Sequence, residues 1–123
     1  MKKLTIGMAT FDDFEGVYFT IQAIRLANLD ILDDLDILVL DNNPDSHEGK
    51  ATKHFCENAR VRYFEIRERR STAIRSRIFE YAEAPAALSI DPHVLLEPGT
   101  IKRLIEYFEE NTTNQFIHGP MLY

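Results

Sequence analysis

A single cysteine, Cys56, among 123 residues excludes an intramolecular disulfide and a zinc site built from paired cysteines. That scarcity fits a reducing, cytoplasmic setting. No apolar run approaches the roughly 18 residues of a membrane span, and Met1-Lys2-Lys3 leads into a stretch too short for a signal peptide. No membrane crossing is expected. Basic residues are the minority, with 14 Lys and Arg against 20 Asp and Glu and a net charge of −6. A protein that coats nucleic acid or an anionic membrane is disfavoured on that balance. Glycine is scarce too, at 5 residues. No Gly-x-Gly-x-x-Gly follows the first apolar run, and no Gly-x-x-x-x-Gly-Lys-Ser/Thr occurs, so the usual dinucleotide and P-loop sites are disfavoured. A nucleophile elbow is also missing. Cys56 itself falls within a helical pattern near apolar residues and reads as a small core residue rather than a reactive thiol.

What the chain does contain is enough apolar material, 45% of residues, to bury a core within one domain spanning 1–123. Leu4 to Met8 and Ile37 to Leu40 are uninterrupted apolar runs, as expected of parallel strands covered on both faces. Val61 to Ile66 and Ala86 to Ile90 read as further strands. Between them, Val17, Ile21 and Ile24 recur at helical spacing within Glu15 to Leu29. Ala51, Phe55 and Ala59 do so within Ser46 to Ala59, with Ser46 or Asp45 as the N-cap. Ile74, Ile78 and Ala82 predict a third helix over Ser71 to Glu83, stopped by Ala84-Pro85. A fourth carries Ile101, Leu104, Ile105 and Phe108, with Pro98 placed at its first position. Gln115 to His118 reads as the start of one more strand. The alternation predicts a Rossmann-like, three-layer α/β/α fold with a mainly parallel sheet and right-handed crossovers. In such sheets ligands bind outside the carboxyl ends of the strands.

Polar residues collect at those ends. Thr10-Phe11-Asp12-Asp13 follows the first strand, Asp41-Asn42-Asn43 the second and Asp91-Pro92-His93 the fourth. Each alone is as well explained by turn formation and helix capping. Together on one edge they favour a site. Pro92 holds Asp91 extended, so Asp91 and His93 are placed to share one divalent cation, whose other positions would go to water and phosphate oxygens. Asp34-Leu35-Asp36 has similar spacing but precedes its strand and lies at the opposite edge. Arg67, Arg69, Arg70, Arg75 and Arg77 concentrate positive charge within a short stretch, and guanidinium groups favour phosphate. At least two of the five are expected to be ordinary surface ion-pair partners. Arg75 and Ser76, at the start of the third predicted helix, are the better anion candidates.

These segments resemble the nucleotide-sugar-binding half of family 2 glycosyltransferases, which have the A-type glycosyltransferase fold. Leu4 to Asp13 is similar to the family's first strand and its Tyr-Asn-Glu-type loop. Leu40-Asp41-Asn42-Asn43-Pro44-Asp45-Ser46 is similar to the second strand and its aspartate turn. Ala73-Ile74-Arg75-Ser76 stands where the family has Ala-Arg-Asn, and Asp91-Pro92-His93 stands where it has Asp-x-Asp. Ser76, Arg70 and His93 depart from the pattern, and an Asp-x-His motif is similar to that of the polypeptide N-acetylgalactosaminyltransferases. The resemblance implies a nucleoside diphosphate-sugar donor contacted by Thr10, Phe11, Asp12, Asp13, Asp41, Arg75 and Asp91, with Asp41 near the base. It implies Mn²⁺ or Mg²⁺ on Asp91 and His93. It also implies transfer of a hexosyl group to an acceptor hydroxyl. No residue here matches the acceptor-activating carboxylate, so the expectation is a donor-binding portion lacking the acceptor-binding half, with acceptor, sugar and nucleotide unassigned. The alternatives are a non-catalytic nucleotide- or sugar-nucleotide-binding module and a plain α/β interaction domain. An incomplete sheet edge near Gln115 to Tyr123 would invite self-association into a homo-oligomer.

Overall fold

The computed structural model describes residues 1–68 and 72–111. Four strands, β1 (Leu4–Thr10), β2 (Leu35–Asp41), β3 (Arg62–Glu65) and β4 (Ala86–Ser89), form one sheet in the order β3-β2-β1-β4. All neighbours are parallel. Successive connections run outward from β1 to β3 and then return across to β4, so the chain reverses its direction of progress between β1 and β4. That reversal opens a crevice at the carboxyl ends of those two strands.

The sheet is apolar on both faces because it is covered on both. Leu4, Ile6 and Met8 of β1, with Leu35, Ile37 and Val39 of β2, pack under α1 (Phe14–Ala27), α2 (His47–Ala59) and α4 (Thr100–Glu110). On the opposite face Leu38 and Leu40 pack against Ile66, Ile74 and Ile78. Gly7 is required there: a Cβ on it would run into the Ile78 side chain. Cys56 is a core residue as expected, fully buried, and burial pushes its thiol up to about 12.

Three helical expectations change. Ser71 to Glu83 is not one α-helix but a 3-10 segment, Thr72–Arg77, followed by the four-residue α3, Ile78–Tyr81. The Ser76 hydroxyl donates to the Ala73 carbonyl at 2.7 Å. Such a local bond competes with the regular helical ladder. Pro98 is not at the first helical position; Gly99, at φ 87°, caps α4, which begins at Thr100. A 3-10 segment at Leu29–Asp34 also intervenes before β2. Asp34-Leu35-Asp36 lies at the amino end of β2, away from the crevice, and buried Asp36 accepts from Thr5 and Arg62. The expected strand at Gln115 to His118 lies outside the described residues, as do Arg69 and Arg70. Among the described residues no helix is long and apolar enough to cross a membrane.

Candidate functional site

Parallel pairing places the three polar strand ends together. Thr10, Asp41 and Glu65 are register partners across β1, β2 and β3, and β4 ends beside β1 with the Ile90 N–H on the Gly7 carbonyl at 3.0 Å. The loops beyond them are tied to one another. Asn42 N–H donates to the Thr10 carbonyl at 2.9 Å, and the Asn43 amide donates to Asp12 Oδ1 at 3.0 Å. Asp12 itself adopts φ 52°, left-handed backbone that aspartate tolerates better than most residues. The Asn42 side chain donates to the Ile66 carbonyl at 2.8 Å, which fixes the exit from β3 to that from β2.

Asp41 is turned inward. Its Oδ1 accepts from Asn43 N–H at 2.9 Å and its Oδ2 from the Tyr63 hydroxyl at 2.6 Å. Burial pushes its carboxyl up, and those two hydrogen bonds offset part of that rise. Burial and the neighbouring carboxylate push the Tyr63 phenol up as well, so it remains a donor. Thr10, one strand over, is buried, and its Oγ1 has no hydrogen-bond partner among the described residues. A buried orphan hydroxyl is uncommon among native structures. Phe11, the next residue, is exposed.

The β4 tip divides its two candidate ligands between different partners. Arg75 NH1 stands 2.8 and 2.9 Å from the two carboxylate oxygens of Asp91. His93 Nε2 stands 2.7 Å from Asp13 Oδ2, and its backbone N–H donates to Thr20 Oγ1 at 2.8 Å. Asp91 and His93 therefore sit at one edge as expected, but each is engaged elsewhere. The other carboxylate oxygen of Asp13, Oδ1, accepts from Gly16 N–H at 3.0 Å, which makes Asp13 the N-cap of α1 as well.

Arg75 reaches the crevice from the 3-10 segment. The helix after it is a single turn, so Ser76 and Arg75 do not mark an anion-binding helix start. Arg67 and Arg77 are the surface partners expected, on Glu65 and Asp45 and on Glu68 and Glu80 respectively. Three residues that shape the site were not singled out by the sequence patterns, Gly16, Thr20 and Tyr63, whose hydroxyl holds Asp41. Thr20 carried a signal, a hydroxyl within the apolar stripe of Val17, Ile21 and Ile24 that turns out to be buried. Gly16 carried none until its surroundings were seen: a Cβ there would meet Asp13 and His93.

Among the described residues no three His, Cys, Asp or Glu side chains are grouped to enclose a metal ion. The donors nevertheless suit a partly hydrated cation. Asp91 offers a carboxylate and His93 an imidazole, with side chains 41% and 68% exposed. Mg²⁺ and Mn²⁺ commonly take one or two protein ligands and fill the remainder with water and phosphate oxygens.

The family model described as Glycosyl transferase family 2 matches residues 5–123. No curated protein matches. Solved structures do. A mannosyltransferase, PcManGT from Pyrobaculum calidifontis, in complex with GDP-Man and Mn²⁺, superposes with a TM-score of 0.73 at 16% identity, over 89% of this chain and 33% of that one. S. aureus TarS 1–349 gives 0.70 at 15% identity, over 89% and 33%. TarS 1–349 in complex with UDP-GlcNAc gives 0.67 at 12% identity, over 89% and 32%. The chain thus spans about a third of the structures it matches, and at these identities the likeness speaks for the fold.

Proposed function

Because the chain belongs to glycosyl transferase family 2 and folds as the nucleotide-binding half of an A-type glycosyltransferase, we propose that it binds a nucleoside diphosphate-sugar together with Mn²⁺ or Mg²⁺. It would serve as the donor-binding domain of an enzyme that transfers a hexosyl group to an acceptor hydroxyl. One observation carries the reading: at the β1/β4 reversal, two carboxylates, an imidazole and a guanidinium meet at one edge of the sheet. No other edge of the described sheet offers such a set. Support for the ligand class comes from the matched structures, which hold GDP-Man with Mn²⁺ and UDP-GlcNAc.

In this reading Thr10, Phe11, Asp12 and the Asp41 turn form the nucleoside side. Asp41 acts mainly by shaping that turn, since both its oxygens are already bonded. Arg75 leaves Asp91 for the diphosphate, where a planar guanidinium can bond two oxygens at once. Asp91 and His93 hold the cation, which would stabilise negative charge on the departing diphosphate. In this reading the acceptor half corresponds to the part of the matched structures that the chain does not cover, since it spans about a third of their length. A cytoplasmic setting, and self-association through an incomplete sheet edge near Gln115 to Tyr123, belong to the same reading.

Thermal unfolding with Mn²⁺ and a panel of UDP, GDP, CDP and dTDP tests it. A ligand at a hundred times its Kd stabilises a fold by about 2.7 kcal/mol, roughly 10 °C for a domain of this size. One nucleotide should reach that range with Mn²⁺ and lose most of it in Asp91→Ala. If no diphosphate shifts the transition and Asp91→Ala is silent, the donor-site reading is wrong and a ligand-free interaction domain takes its place.

A further inference from the structure

The β4 tip is held in a conformation that histidine seldom adopts. His93 has φ 75°, in a region sparsely populated by residues with a Cβ and concentrated at functional sites. Several contacts hold it there. Its N–H donates to the hydroxyl of Thr20 at 2.8 Å, and Thr20 is buried in α1. Its Nε2 lies 2.7 Å from Asp13 Oδ2. Asp13 cannot drift, because its other oxygen caps α1 at 3.0 Å from Gly16 N. Gly16 leaves the space in which the pair meets: a methyl group there would overlap the Asp13 carboxylate and stand 2.5 Å from His93 Nε2.

The chemistry of the pair is directional. An ionised carboxylate accepts hydrogen bonds and has none to give, so the bond requires a hydrogen on Nε2. In the neutral imidazole Nδ1 then carries the lone pair, and no partner for Nδ1 occurs among the described residues. Histidines that bind metals are held in this manner, one nitrogen donating to a carboxylate while the other faces the ion.

We propose that Asp13 is a positioning residue that fixes His93 as the Nε2–H tautomer and so presents Nδ1 as the atom that takes the divalent cation. Gly16 and Thr20 hold the pair in place. The cation half of this assignment rests on the function proposed above; the tautomer half does not.

The two halves are read separately. Two-bond proton–nitrogen NMR on ¹⁵N-histidine-labelled protein at pH 8, above the ordinary histidine range, should show His93 protonated on Nε2 without any metal present. Asp13→Asn keeps the N-cap, for which asparagine is as good, but turns an amide donor toward Nε2. It should move His93 toward the Nδ1–H form. Trace Mn²⁺ should broaden the His93 signals of the wild type, and the variant should need about tenfold more. If Asp13→Asn does not fold, Gly16→Ala separates the same two side chains without removing the carboxylate and should likewise raise the Mn²⁺ needed to broaden His93. A wild-type His93 protonated on Nδ1, a tautomer indifferent to a folded Asp13→Asn, or a Mn²⁺ requirement indifferent to Gly16→Ala, overturns the positioning role. The expected tautomer with no Mn²⁺ broadening at His93 overturns the cation reading and the role given to Nδ1.

Discussion

Arg75 stands on the carboxylate that a cation would need, and replacing it should move two affinities in opposite directions. Its NH1 contacts both oxygens of Asp91, and the two side chains are 46% and 41% exposed. Ion pairs this exposed are worth about 0.2–1 kcal/mol. Arg75→Gln should therefore lower the unfolding temperature by no more than a few degrees. An incoming cation must displace the same interaction, so its loss should tighten Mn²⁺ binding up to about fivefold in the absence of nucleotide. In the proposed donor site the diphosphate would lose a charge-assisted hydrogen bond, worth about 1.5–3 kcal/mol, which is roughly a ten- to hundredfold weaker nucleoside diphosphate affinity. Free Mn²⁺ counted by electron paramagnetic resonance gives the first number, and calorimetric titration with the nucleotide that stabilises the wild type gives the second. A residue that merely supports the fold would weaken both. Mn²⁺ binding that is unchanged or weaker in Arg75→Gln would show that the guanidinium does not compete for Asp91.

Two further predictions concern the frame that carries the crevice. Asp36 is 6% exposed and accepts from Thr5 at 2.8 Å and from Arg62 at 2.8 and 2.6 Å, joining β1, β2 and β3 at the edge opposite the site. Burial raises its carboxyl, but the Arg62 and Thr5 bonds outweigh that and hold it below the ordinary 3.8. A depressed carboxyl contributes stability that is complete above its unfolded value and is lost as pH falls through the folded one. Asp36→Asn should therefore cost about 2 kcal/mol at pH 7, less than the 3–5 of a fully buried broken pair because water still reaches Arg62. The difference from wild type should shrink below about pH 4; urea titrations across pH 3 to 7 would expose a cost that does not change with pH. On the other face, Gly7→Ala pits a modest gain in strand propensity against collision with fully buried Ile78. Overpacking should prevail, at about 1–3 kcal/mol, and the double variant with Ile78→Val should recover part of it; simple additivity of the two losses would refute the contact.

The parts of the molecule readable from the sequence are those whose cause is local. The run Ile37 to Leu40 could only be a strand covered on both faces, and β2 is buried along its whole length. Ser46 announced the start of α2 and caps it, accepting from Gly49 N–H at 2.9 Å. Thr72 to Tyr81 departs from the expected helix because Ile74 and Ile78 satisfy a helical period, while the choice between 3-10 and α turns on packing against Gly7 and on the Ser76 hydroxyl. The site divides along the same line. That Asp13, Asp41, Asp91 and His93 share an edge followed from the parallel alternation alone. Which of them touch did not, because Asp13 and His93 are 80 residues apart in sequence and their meeting depends on a missing Cβ at Gly16 and a hydroxyl at Thr20. Spacing within Asp91-Pro92-His93 pointed to one shared cation. Without a ligand the folded chain gives each residue its own partner, Arg75 for the carboxylate and Asp13 for the imidazole. The two pairs differ in kind. A guanidinium competes with a cation, whereas a carboxylate behind an imidazole raises its basicity toward one. If the proposed donor site is right, binding a metal diphosphate requires the first pair to break and the second to persist.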